Sequence, residues 1–222
     1  MIVFLPRPVK KNFRKIQIWQ RLRTITPPLN PRRIVLASSS PYRRALLDRL
    51  RLPFEVHAPA VDESALPREP TRKTALRLAQ AKARAAAPSY PGALIIGCDQ
   101  VAELEGKALG KPGSHDNAVA QLKDMRGKDV VFHTALALLN AESGALQTAE
   151  VPTTVRFRNC SDREIEHYLE LERPYDCTGS AKIEGLGIVL VERVTSDDPS
   201  ALIGLPLMSL AAMLRKEGVA LV

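Results

Sequence analysis

The chain has 222 residues, 45% of them apolar and 25% charged, enough for one substantial domain with a buried core. No apolar run approaches the roughly 18 residues that a membrane span needs, and the three cysteines, Cys98, Cys160 and Cys177, fit neither a disulfide framework nor a zinc site. The net charge of +8 is local: nine of the 32 basic residues lie within residues 1–33, which hold no acid, and the remaining 23 face 24 acidic residues. A near-neutral domain argues against a duplex-binding surface.

The basic leader fits a targeting peptide badly, because it is rich in proline and poor in serine. An arm for nucleic acid or a membrane surface remains open. The expectation is a mobile extension, or an upstream start codon, over residues 1–32, with a domain at 33–222. Ile34–Ala37 is a short apolar run that predicts a buried strand. Ser40 and Pro41 then read as N-cap and first helical residue, with Ala45, Leu46, Arg49 and Leu50 on the inward face. Hydroxyls and arginines at one helix N-terminus suit a phosphate, although an ordinary capped helix with solvated arginines has the same pattern. Phe54–His57 predicts a second strand, followed by a loop carrying "VDES".

Residues 70–87 predict a long helix with Ala75, Leu78, Ala79, Lys82 and Ala86 on one face. Lys82 breaks that apolar stripe, so it either snorkels to the rim or enters a site needing a cation. "ALIIGCDQV" (93–101) reads as a buried strand that ends in Gly97, Cys98 and Asp99, a usual place for chemistry in α/β folds. A hairpin around Gly106 delivers Lys111. Residues 114–126 predict a helix stopped by Gly127. Residues 129–139 and 146–158 predict long antiparallel strands. Ser161 and Glu164 form the capping box of a helix over 161–171. A Gly-rich loop from 178 enters a strand, and 206–216 forms the last amphipathic helix. The fold class is α/β, bordering α+β, around a mixed twisted sheet. The four histidines show no metal-ligand spacing, and no GxxxxGK[ST], GxGxxG or GxSxG occurs.

"LASSSPYRR", "VDES", "LAQAKA", "GCDQV", "GKP" and "GLPL" stand together in this order. Together they resemble the Maf family of nucleotide pyrophosphatases, from about Arg33 to the C-terminus. The resemblance implies an elongated α/β fold with a deep cleft, like that of inosine-triphosphate pyrophosphatases. It implies cleavage of nucleoside triphosphates to monophosphate and pyrophosphate with a divalent cation, Mg²⁺ or Mn²⁺. Carried over, Ser38, Ser40, Arg43, Arg44, Lys82 and Lys111 bind phosphate, and Glu63 and Asp99 are metal ligands. Asp99 is also the proton acceptor for the attacking water; in physical terms it could equally orient a water beside the cation. Neutralisation and positioning dominate such chemistry.

Substrate choice in the family follows three positions, here Tyr42, Gln100 and Glu184. Gln and Glu resemble the branch acting on 7-methyl-GTP, whereas the dTTP/UTP branch has Thr and Gln there. Glu184 suits guanine because a carboxylate can accept from both N1–H and the 2-amino group. An aromatic residue can stack on the cationic 7-methylguanine, and Tyr42 stands where that branch usually has Trp. The competing readings are a dTTP/UTP-type pyrophosphatase and a regulatory protein of cell division. The expected partner is a nucleotide, without nucleic acid or membrane, in a cytoplasmic, reducing setting. Family members are often dimers, so a homodimer is the expected assembly.

Overall fold

The computed structural model describes residues 32–222, so the basic leader, apart from its last residues, lies outside the described part. The described elements are β1 (Ile34–Leu36), α1 (Pro41–Asp48), β2 (Glu55–Val56), α2 (Thr71–Ala86), β3 (Leu94–Leu104), β4 (Lys107–Leu109), α3 (His115–Met125), β5 (Asp129–Asn140), β6 (Leu146–Phe157), α4 (Asp162–Glu172), β7 (Val191–Ser196) and α5 (Leu207–Lys216). The seven strands form one mixed sheet in the order β2-β1-β3-β5-β6-β7, with β4 on β3. β1 runs parallel to β2 and β3, and the remaining pairings are antiparallel. Five helices flank this mixed sheet, as expected for the α/β class.

Alternation along the strands sends side chains to two faces. One face packs on α2 through small residues: Ala75, Ala79 and Ala83 of the helix meet Val35, Ile95, Ala135 and Ala137. The contact is so close that a Cβ at Gly97 would lie 2.0 Å from the Ala79 carbonyl oxygen. The other face carries two apolar clusters. Leu36, Ile96, Leu136 and Leu138 pack with Leu46 and Leu47 of α1 and Leu210 and Leu214 of α5. Farther along, Ala102, Phe132, Val155 and Phe157 pack with Leu122 and Met125 of α3 and Ile165, Tyr168 and Leu169 of α4. Each buried leucine in these clusters contributes about 1.5–3 kcal/mol.

Four expectations are corrected. On α1 the buried residues are Leu46 and Leu47, while Ala45 and Arg49 are exposed, because the helix ends at Asp48 and Arg49 is its C-cap. β2 has only two residues, both exposed. The Gly-rich segment does not run straight into a strand; it forms 3₁₀ turns at Thr178–Ser180 and Leu186–Leu190 before β7. Asp99 is not at a strand end, because β3 continues to Leu104 on its β5 ladder, with Asp99 opposite Ala135.

That continuation creates the cleft. On the opposite edge of β3, pairing with β1 stops at Ile96 and pairing with β4 begins at Ala102. The edge is open between them, at the point where α1 leaves on one face and α2 on the other. Such a switch point in a parallel arrangement is where α/β folds form their binding crevices.

Candidate active site

The open edge faces a cleft of about 690 Å³. Asp99 and Gln100 both line it, although successive residues of a strand point to opposite faces. Ser38, Ser40, Tyr42, Arg43, Glu63, Lys82, Lys111 and Glu184 also line it, so the structure brings together every candidate residue except Arg44.

The junction after β1 folds as its sequence demands. Pro41 opens α1, and Ser40 Oγ accepts from Arg43 N at 3.4 Å. Ser38 Oγ accepts from Ser40 N and from Arg43 Nη1, both at 3.2 Å, and Arg43 Nε donates to Gly204 O at 3.0 Å. The Arg43 guanidinium is thereby fixed at the cleft wall. Arg44, one residue on and turned about 100° around the helix, is exposed and lines a separate depression with Asp48 and Phe54.

Lys82 is the buried exception on the alanine face of α2. Its Nζ donates to Asp99 Oδ1 at 2.6 Å and pairs with Glu63 Oε1 at 2.7 Å. The ammonium therefore joins the two acids and does not stand free, and one of its three protons remains for another acceptor. Burial pushes the Asp99 carboxyl above its ordinary value, and the charges of Lys82 and Arg43 only partly offset this. Burial also acts upward on Glu63, but Lys82, Lys111 and Arg43 together hold it below the usual range. Glu63 is kept near Lys82 by a clip on α2. Arg77 forks onto Glu69 at 2.8 and 2.7 Å and donates to Ser64 O at 3.0 Å.

Among the described residues no group of three or more His, Cys, Asp or Glu could hold a metal ion. Two hard carboxylates side by side nonetheless fit Mg²⁺ or Mn²⁺, which bind through one or two carboxylates with substrate phosphates completing the shell. Of the histidines, His133 pairs with Glu150 at 2.8 Å and His115 with Glu166 at 2.8 Å.

Also in the cleft wall, Tyr42 meets Cys177 Sγ at 3.8 Å and Lys182 Nζ lies 5.9 Å from its ring centre. Burial, then Cys177, raises the Tyr42 hydroxyl well above the ordinary tyrosine range. Glu184 is exposed on a loop that α4 holds from behind. Tyr168 Oη accepts from Lys182 N at 3.0 Å, and Glu172 accepts from Lys182 Nζ at 2.7 Å and Leu186 N at 2.9 Å. Gly185 packs so tightly on Glu172 that a Cβ there would come within 2.9 Å of its carboxylate.

Sequence reasoning missed the turn after β7. Asp198 is buried and accepts from Ser200 Oγ at 2.6 Å and from Met208 N at 2.7 Å, which caps α5. The carbonyls of the intervening turn accept from Arg43, Cys98, Gln100 and Thr134. Only "GLPL" hinted at it, since carbonyl acceptors carry no side-chain signature. Cys98 belongs to the packing: it is buried, donates to Gly204 O at 2.9 Å, and burial raises its thiol to about 11. All three cysteines are free thiols, and no described helix is long and apolar enough to cross a membrane.

The Maf-like protein family matches residues 33–217. A protein named 7-methyl-GTP pyrophosphatase from Methylobacillus flagellatus is 59% identical over 193 residues, covering 87% of this chain and 98% of its own length. One of the same name from Thiobacillus denitrificans is 60% identical over 186 residues (84% and 92%), and one from Cupriavidus metallidurans 57% over 185 (83% and 93%). With a family match over most of its length and relatives at this identity, the chain belongs to the Maf family.

Proposed function

We propose that this chain is a nucleoside triphosphate pyrophosphatase acting on 7-methyl-GTP. The observation that carries this is the joining of Asp99 and Glu63 by the Lys82 ammonium, at 2.6 and 2.7 Å, in the same cleft as Arg43 and Glu184. The names of the relatives support the same substrate. Arg43, with Ser38 and Ser40, holds the phosphate tail, and Lys111 and the remaining Lys82 proton add positive charge. Asp99 takes the proton of the water whose oxygen attacks the α-phosphorus, and the bond to the β-phosphate breaks to release pyrophosphate. Burial, which raises the Asp99 pKa, makes the carboxylate a stronger base. Glu63 and Asp99 would hold the divalent cation, which supplies charge neutralisation on the phosphates when bound. Glu184, Gln100 and Tyr42 recognise the base. A homodimer working on free nucleotides in a reducing, cytoplasmic setting belongs to the same proposal.

The test is pyrophosphate release from 7-methyl-GTP, GTP, UTP and dTTP by wild type and Asp99→Asn. The expected result is preference for 7-methyl-GTP and a loss of at least about a hundredfold in the variant. Preference for UTP or dTTP would overturn the substrate, and near wild-type turnover by Asp99→Asn would overturn the role of Asp99.

A further inference from the structure

Gln100 has an orientation that its chemistry forces. Its Nε2 lies 2.8 Å from Thr134 Oγ1, 3.1 Å from Ala201 O and 3.0 Å from Leu202 O. The oxygen and nitrogen of a side-chain amide are told apart by their neighbours, and here the neighbours allow one answer. Two are carbonyl oxygens, which only accept. The third, Thr134 Oγ1, has a single proton and donates it to Ala201 O at 3.0 Å, so it turns a lone pair to Gln100. An oxygen in the place of Nε2 would meet three acceptors. The amide therefore cannot turn over, and Oε1 is the polar atom left to face the cleft that Gln100 lines. Thr134 itself is fully buried.

Glu184 lines the same cleft and has no hydrogen-bond partner among the described residues. As a carboxylate it also only accepts. A guanine edge carries three N–H bonds, one at N1 and two on the 2-amino group. A side-on carboxylate takes N1–H and the nearer amino proton, which leaves one amino proton for one fixed acceptor. We infer that Gln100, locked by Thr134 and the Ala201 and Leu202 carbonyls, reads the 2-amino group of a guanine-type base as a one-way acceptor, with Thr134 as its positioning residue. A uracil-type edge has one N–H between two carbonyls and would turn oxygen toward oxygen. This inference rests on the proposed guanine-type substrate and adds a donor count to it.

The experiment compares kcat/KM for 7-methyl-GTP and 7-methyl-ITP, which lacks only the 2-amino group. The enzymes are wild type, Gln100→Met, Gln100→Glu, Thr134→Val and Thr134→Ser, each with its thermal midpoint measured. Wild type is expected to favour the 2-amino substrate by at least about tenfold. Gln100→Met should lower the ratio by at least about threefold, leaving the share that Glu184 supplies through the nearer amino proton. Gln100→Glu keeps an outward oxygen but sets a second against the carbonyls, so its ratio should fall as well. Thr134→Val should lower the ratio and Thr134→Ser, which keeps the hydroxyl, should restore it even if the valine variant folds poorly. A wild type that turns over both substrates equally, or a ratio unchanged in Gln100→Met, overturns the inference and leaves the pyrophosphatase reading standing. An unchanged ratio in Gln100→Glu overturns the lock. A wild type that releases pyrophosphate from neither substrate overturns both the inference and the reading beneath it.

Discussion

Arg43 and Arg44 are neighbours with the same side chain, yet only one reaches the cleft. Arg43 is anchored by Ser38 Oγ and Gly204 O, while Arg44 points to solvent. A hydrogen bond from a charged group is worth about 1.5–3 kcal/mol, so Arg43→Ala should lower kcat/KM by roughly ten- to a hundredfold. Arg44→Ala should stay within about twofold under the same steady-state assay. Equal losses in the two variants would show that the anchored guanidinium is not what meets the substrate. The pair also marks a limit of reading a motif: "RR" tells that guanidiniums are present, and the helical turn between them decides which one serves. Asp99 and Gln100 are the strand counterpart. Alternation sends them to opposite faces, and the missing strand edge beside them lets both reach one cavity.

At the scale of elements, α2 lies hard against β3, and Gly97 is the position that allows it. A methyl there would lie 2.0 Å from Ala79 O and 2.8 Å from Ala83 N, both backbone atoms that cannot swing away. Gly97→Ala should therefore push α2 outward, destabilise the fold by about 3 kcal/mol, and separate Lys82 from Asp99. Thermal melts and turnover of the remaining folded fraction would measure the two effects separately; unchanged turnover per folded molecule would mean that the helix had not moved. This part was legible in advance. The strand–helix junction, the alanine face of α2 and its one intrusive lysine are local patterns with a period, as is the capping box at Ser161 and Glu164. The loop presenting Glu184 was not legible, because it is held by Tyr168 and Glu172 from α4. Nor was the turn after β7, which works through backbone oxygens. Long-range support leaves no periodic trace in a sequence.

For the whole molecule, stability and pH are linked through the clip beside the site. Glu69 is held down to about 2 from an ordinary 4.5, first by the Arg77 fork and then by Leu66 N and Thr74 Oγ1. A carboxylate with a depressed native pKa adds stability above its unfolded value and loses it as pH falls toward the native one. The gap in thermal midpoint between wild type and Glu69→Gln should thus be full above about pH 5 and close between about pH 4.5 and 2. A gap that ignores pH over that range would assign the loss to packing instead. The turn at residues 201–204 has a different kind of consequence. Gly204 O fixes Arg43, proposed above to hold the phosphate tail, and Ala201 O and Leu202 O fix Gln100, proposed to read the base. On that proposal both ends of a bound nucleotide are referenced to one short stretch of backbone, which works as a ruler. The distance from phosphate tail to base is measured once, and no change to that turn can retune one end while leaving the other in register.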